Sequence, residues 1–417
     1  MIMASKDSIM NNEHYLQLFE SLSHDSSHAL ERKKTALNHF LSEGFPSKKQ
    51  EAWRYLDISK IINVPYRLTK KTVNKKINLP IKMECNPLIF INGYFYPELS
   101  KPYPEDINLF SIRTKNLKAS TLEQKEKNAF QHLNEAFLQE SLLITIKKNS
   151  HLNRPLYFLN LFSNEEQFLM SHIHVEIILE ESASAVFIEH DFSELSNEHL
   201  HTHQTDITLN NHSLLTHYHL HELTKNNYVF NHLLATQKKE SRIEHFTFVI
   251  KNQLFRQFLN FNQTEDQTTT SSYGLMRTMD NAQADIQLNI NHQRNHGSST
   301  SQFHTTPNQT SRINFNGIIE VNKGTLKNKA SLLNKNIPLS SHAEINTKPV
   351  FKIYSEDVAC SHGATISKFD PEVINFLNSR GIETTLAKEM IVNGFSHEII
   401  DKVKNKKIKE YLLEKML

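Results

Sequence analysis

The sequence predicts a mainly β protein, a long core of stacked parallel coils (a parallel β-helix) held between helical ends. Apolar residues recur at helical spacing up to about Leu142 and again after Asp370, but alternate with a period of two in between. Within that β stretch, comparable polar strand starts fall at Ser182, His212, Ser241, Asn281, Ser311 and Ser341, at intervals of 30, 29, 40, 30 and 30 residues. A period near thirty, with one ten-residue insertion, predicts coils that each bury a face against their neighbours, rather than a sandwich. The chain has only nine glycines, so Asn, Ser and His are expected to fill the turns.

The elements follow in order. Ala29 to Glu43 carries Leu30, Ala36, Leu37, Phe40 and Leu41 at helical spacing, with Gly44 and Pro46 as the stop. Lys70 to Lys82 is a Lys/Asn-rich connector. Leu88–Ile91, then Asn92-Gly93, then Tyr94–Tyr96 predicts a hairpin, because Asn-Gly tolerates the positive φ of a tight turn. Glu123 to Leu138 predicts an amphipathic helix with Ala129, Phe130, Leu133, Ala136 and Phe137 on one side. Strands are expected at 173–179, 185–188, 207–209, 214–220, 243–249, 284–290, 313–321 and 345–354. Asp370 is placed to cap a helix that begins at Pro371 and ends by Gly381. Two more helices are expected at 386–392 and from Ser396 onward. The expected division is a mostly helical region 1–145, a β-helix core 146–368 and a helical region 369–417.

Composition limits the function. With 47 basic and 45 acidic residues the net charge is +2, which gives no support to a nucleic-acid or membrane-surface role. No apolar run approaches the ~18 residues that span a bilayer, and Met1 to Asn12 lacks the apolar stretch of an export signal. A cytoplasmic location is therefore expected. Cys85 and Cys360 are the only cysteines. Two thiols make no disulfide framework, and they cannot by themselves enclose an iron–sulfur cluster, which takes about four thiolates. Phosphate-binding, dinucleotide-binding and nucleophile-elbow motifs are all missing, so any ATP chemistry would belong to a partner.

Three features invite a chemical reading. Cys360-Ser361-His362 lies where the last strand gives way to the C-terminal helices. A thiol and an imidazole two residues apart can reach one metal or sulfur, while the plainer alternative is a buried structural cysteine beside a turn histidine. His217, His219 and His221 alternate, so they share one face of a strand, as do His199, His201 and His203. That spacing could bind zinc, but with no Cys or carboxylate cluster to complete a site the rows are expected to face solvent, with the apolar row inward. Trp53, in Glu51-Ala52-Trp53-Arg54, is expected to pin the N-terminal helices rather than anchor a partner.

The stretch Cys360-Ser361-His362-Gly363-Ala364-Thr365, followed by Asn378-Ser379-Arg380-Gly381-Ile382, resembles the C-terminal signature of the SufB/SufD family of iron–sulfur cluster assembly subunits, and its SufD members in particular. Ala343–Pro349, Phe315-Asn316-Gly317, Gly44-Phe45-Pro46, Glu51–Tyr55, Phe90–Gly93 and Leu133–Phe137 fit in the same order. SufB proteins are usually longer and do not carry Cys-Ser-His-Gly at this point. The resemblance implies a right-handed parallel β-helix and a non-catalytic scaffold in a cytosolic complex with a SufB-like subunit and the ABC-type ATPase SufC. It implies that His362, with Cys360 beside it, helps hold a nascent iron–sulfur cluster shared with SufB, no cluster being bound by the isolated chain. It also implies that the C-terminal helices dock SufC, with Phe376, Leu377, Arg380, Met390 and Phe395 as the expected contacts. A homodimer of the isolated chain stays open. Two rivals are a β-helix carbohydrate-active enzyme, which would need paired carboxylates on one face, and a stand-alone zinc protein built on the histidine rows.

Overall fold

The computed structural model describes residues 6–22, 27–71, 77–100, 107–112, 127–163, 166–193 and 195–417. The N-terminal part holds helices α1 (Lys6–Glu20), α2 (Ser27–Glu43) and α3 (Ser59–Ile62), strands β1 (Arg67–Leu68), β2 (Asn86–Ile91), β3 (Tyr94–Phe95) and β4 (Ile107–Ile112), and helix α4 (Ala129–Phe137). The coils then run through β5 (Glu140–Ile146), β6 (Leu156–Phe162), β7 (Leu169–Leu179), β8 (Ser184–Ser193), β9 (His199–Leu209), β10 (Leu214–Glu222), β11 (Asn227–Gln237) and β12 (Arg242–Lys251). They continue through β13 (Leu254–Gln263), β14 (Thr269–Thr278), β15 (Gln283–His292), β16 (Ser298–Pro307), β17 (Arg312–Val321), β18 (Leu326–Asn336), β19 (Glu344–Ile353) and β20 (Asp357–Ile366). Helices α5 (Pro371–Ser379), α6 (Thr384–Ile400) and α7 (Lys406–Met416) follow.

Odd-numbered strands from β5 to β19 stack in parallel as one sheet, and even-numbered strands from β6 to β20 stack as the other. One coil is therefore two strands, and the fold is a two-sheet parallel β-solenoid. Odd strands from β7 onward start 27 to 32 residues apart, which is the predicted period. The forty-residue interval is not an insertion, however. Ser182, His212 and Ser241 precede even strands, whereas Asn281, Ser311 and Ser341 precede odd ones, so the interval crosses from one edge of the stack to the other.

The low glycine content has the expected consequence. Asn149, Ser182, His212, Asn226 and His296 take positive φ in the turns, joined by Glu240, Gln267, Asp280, Gln309 and Lys327. A side chain in that region costs about 1–2 kcal/mol. Lys327 has φ 55°, is exposed and sits at the register shift between Leu326 and Asn328. Lys327→Gly is expected to stabilise the chain by about 0.5–1 kcal/mol, read as a higher urea midpoint.

The helical ends cover the outer faces of the two sheets. Tyr15, Phe40, Trp53, Phe130 and Phe137 pack with Met170, Leu200, Tyr228 and Phe230 on the odd sheet. Trp53 is buried, stacked at 5.5 Å on Phe130, as its packing role requires. Ile399, Ile408, Tyr411 and Leu412 pack with Tyr218, Leu220, Phe246 and Phe248 on the even sheet. Gly44, at φ 67°, ends α2 with its N–H on the Phe40 carbonyl at 2.8 Å. Asn92 and Gly93 both take positive φ in the β2–β3 hairpin.

Two helix boundaries differ from expectation. Helix α4 starts at Ala129, because Asn128 and Gln131 form a capping box there; residues 123–126 lie outside those described. Helix α6 runs unbroken through Ser396, whose hydroxyl donates to the Val392 carbonyl at 2.8 Å instead of competing for a cap. Among the described residues no helix is long and apolar enough to cross a membrane.

Candidate functional site

The predicted Cys–His pair lies on the last strand of the even sheet. Among the described residues β20 pairs only with β18, setting Cys360 beside Ala330 and His362 beside Leu332. Ala330 and Leu332 belong to the lumen core, and Cys360 packs against it. Cys360 and His362 therefore lie on the inward row of a coil that, among the described residues, no further coil covers. Cys360 is half-buried and His362 exposed, its ring stacked on Phe351 of β19 at 4.6 Å. Burial pushes the Cys360 thiol up, partly offset by a hydrogen bond with the Ala330 backbone, so the thiol is protonated at neutral pH. Cys85 precedes β2, at the opposite end of the even sheet, eight strand spacings or about 40 Å away. The two thiols cannot meet within one chain.

The expected contacts on the C-terminal helices divide. Asp370 caps α5 through the Glu372 N–H at 2.8 Å, with Pro371 next. Phe376 and Met390 are 57% and 46% exposed, joined by exposed Val373 and Leu386. Leu377 is half-buried, and Arg380 lies over the Phe376 ring at 5.1 Å. Phe395 is turned the other way, stacked at 4.3 Å on His304 of β16, whose Nδ1 lies 2.9 Å from the Phe395 carbonyl. Phe395 thus packs α6 onto the solenoid.

Residues 161–395 match the family described as "SUF system FeS cluster assembly, SufBD core domain", and residues 9–158 match "SufBD protein N-terminal region". The chain belongs to the SufBD family. It is 24% identical over 384 residues to the iron–sulfur cluster assembly protein SufD of Escherichia coli strain K12, covering 91% of this chain and 90% of that one. It is 27% identical over 384 residues to an iron–sulfur cluster assembly SufBD family protein of Synechocystis, covering 86% and 84%. A chloroplastic Arabidopsis thaliana protein, ABCI7, is 23% identical over 428 residues, covering 95% and 88%. The SufBD core match includes both Cys360 and His362.

The histidine rows of this SufBD protein are not where alternation alone put them. His217, His219 and His221 are at most 1% exposed, and His199, His201 and His203 at most 4%. The expectation of solvent-facing rows is wrong for both sets. On β10 the row lies on the lumen side with Leu215, while the other side, with Tyr218 and Leu220, is covered by α7. The expectation that no carboxylate accompanies the row also fails. On the neighbouring β8, Glu189 is paired in register with His219, and Asp191 with His221.

Polar atoms converge there. His219 Nε2 lies 3.0 Å from Asp191 Oδ2 and 3.7 Å from Glu189 Oε1. His221 Nδ1 is 3.3 Å from Asp191 Oδ2. His203 Nδ1, reaching across from β9, is 2.9 Å from Glu189 Oε1, and His217 Nε2 is 3.3 Å from Glu189 Oε2. Burial pushes both carboxyls up, but the surrounding histidines outweigh it and hold both well below the usual carboxylate range. Burial pulls the His219 imidazole down, but the same two carboxylates outweigh it and leave it above its ordinary value. Among the described residues, every ion pair of Glu189 and Asp191 is with a histidine.

Proposed function

We propose that this chain is a SufD-type scaffold subunit of a cytosolic SUF assembly, with no catalytic residues of its own. It pairs with a SufB-like chain at the open coil and docks a SufC-like ABC ATPase through α5 and the start of α6. The nascent iron–sulfur cluster is cargo shared across the SufB contact, with His362 as this chain's ligand and Cys360 beside it. The observation that carries this reading is the uncovered last coil. Its inward row presents Phe351, Cys360 and His362, and strands β19 and β20 each keep an unpaired edge. Such edges are templates for another chain's strands. Only one thiol is within reach, so the remaining thiolates must come from the partner.

The test is co-expression with the SufB-like and SufC-like chains. His362→Ala should leave the three-chain complex intact and lower its iron and acid-labile sulfide several-fold, with Cys360→Ala the weaker variant. A His362→Ala complex with normal cluster content would end the site assignment. The ATPase face is tested by Phe376→Asp with Met390→Asp, which should abolish recovery of the ATPase while the solenoid keeps its circular dichroism. Unchanged recovery would count against that face. Point substitutions suit this better than deleting 383–417, which would also strip Ile399, Ile408, Tyr411 and Leu412 from the even sheet.

A further inference from the structure

Far from the open coil, the apolar lumen is interrupted by Glu189 and Asp191 of β8, His203 of β9, and His217, His219 and His221 of β10. Two triads, Asp191–His219–His221 and Glu189–Asp191–His203, each bring one donor atom per residue within 4.8 Å of one another, and they share Asp191. Metal–ligand bonds of about 2.0–2.2 Å in tetrahedral geometry place donor atoms roughly 3.4 Å apart. The N–O separations of 2.9 to 3.7 Å in the cluster bracket that value.

Hydrogen bonding alone leaves this cluster incomplete. His203 Nδ1 and His217 Nε2 face Glu189 oxygens yet form no aligned hydrogen bond, and His221 Nε2 and Asn231 Oδ1 have no partner. All four residues are at most 3% exposed. Buried polar groups are seldom left this way, and here four of them gather around two carboxylates, the donor set a cation would take. The outer contacts suit one. Gln257 Nε2 lies 2.8 Å from His219 Nδ1, leaving Nε2 turned to both carboxylates. Asn160 donates to Asp191 Oδ1 at 3.0 Å. Such second contacts orient metal-binding side chains.

We propose that Glu189, Asp191 and His203 bind one divalent transition-metal ion of the zinc class inside the solenoid, with His217, His219 and His221 flanking it. Mixed carboxylate and imidazole donors without thiolate select that class over copper(I). The ion ties β8 of one sheet to β9 of the other. Because the site is enclosed, the metal enters as the coils close and exchanges slowly afterwards. This site is separate from the one at Cys360 and His362 and needs no partner chain.

The experiment uses the full-length chain without partners. It is unfolded in guanidinium with chelator, refolded with Zn2+ or Co2+, dialysed against EDTA, and its metal counted by mass spectrometry. About one equivalent should persist. The Co2+ form should show visible ligand-field bands without thiolate charge transfer, which separates this site from Cys360. Glu189→Gln with Asp191→Asn should lower retained metal at least about tenfold, and His362→Ala should leave it unchanged. Should the double variant fail to fold, His203→Gln and the wild-type cobalt spectrum decide the matter. Retention under about a tenth of an equivalent in refolded wild type, or thiolate bands in its cobalt form, would overturn the proposal. Equal retention in a folded double or His203→Gln variant would do the same.

Discussion

Lowering the pH from 7 to 5 should cost this fold roughly 6 kcal/mol, from three histidines alone. His132, His172 and His292 are fully buried, and burial, the largest cause in each case, pulls them down to about 4, about 3 and about 4. The unfolded chain takes up protons on these groups below about 6.5, while the folded chain refuses them until near its own lower values. Their stabilisation is therefore complete above about 6.5 and is lost as pH falls, by about 2 kcal/mol each between 7 and 5. His190, His232 and His304 shift in the same direction. His219, shifted up, has the opposite sign: its contribution is present below about 6.5 and lost as pH rises through its folded value. Urea unfolding followed by circular dichroism at pH 7, 6 and 5 should show a steeply falling midpoint. A flat profile would mean that these imidazoles are hydrated or charged in the folded chain.

The second large effect is expected at Arg256. Its guanidinium is fully buried, lies 3.8 Å over the Trp53 ring, donates to the Ala52 carbonyl at 2.7 Å, and pairs with Asp285 at 3.2 Å. Asn314 also donates to Asp285, at 3.2 Å. Burial pulls the guanidinium down and pushes the Asp285 carboxyl up, so on each side desolvation outweighs the partner. Removing one partner is then far worse than removing both. Asp285→Ala should destabilise the chain by about 3–5 kcal/mol, and Arg256→Met with Asp285→Leu by much less. Trp53 fluorescence should shift red in Asp285→Ala, because the packing of the 51–54 segment rests on this guanidinium. Additive costs in the cycle would mean that the two charges do not interact.

An aliphatic or aromatic inward row made β15 and β17 legible, but it was not sufficient: β6, β11 and β13 line the lumen with Phe158, Leu233 and Phe261 and still went unread, because their other face is wholly or partly buried too and the alternation is lost. β14, β16 and β20 went unread because Thr270, Ser272, Ser299, Ser301 and Cys360 occupy inward positions, where ladder pairing rather than side-chain burial sustains the strand. The histidine rows expose a different limit. Alternation correctly grouped His217, His219 and His221 on one face. It could not say which face, because a parallel sheet covered by a helix is buried on both. The carboxylate partners did leave a signal: Glu189 and Asp191 precede His219 and His221 by one coil, thirty residues. At the open end, the motif itself was visible at Cys360 and His362, whereas the inward turn of Phe395 depended on where His304 falls one sheet away.

A two-sheet stack has a further consequence for how the molecule opens. Each coil is held by the coils on either side, so cohesion is passed along one dimension, and the layer with a single neighbour loosens first. That layer is β19 and β20. Amide exchange should therefore be fastest there and slow progressively toward β10. A partner strand laid on those edges would convert a frayed terminus into an interior rung, so association at this end should be read first as quenched exchange in 344–366, before any new chemistry at His362.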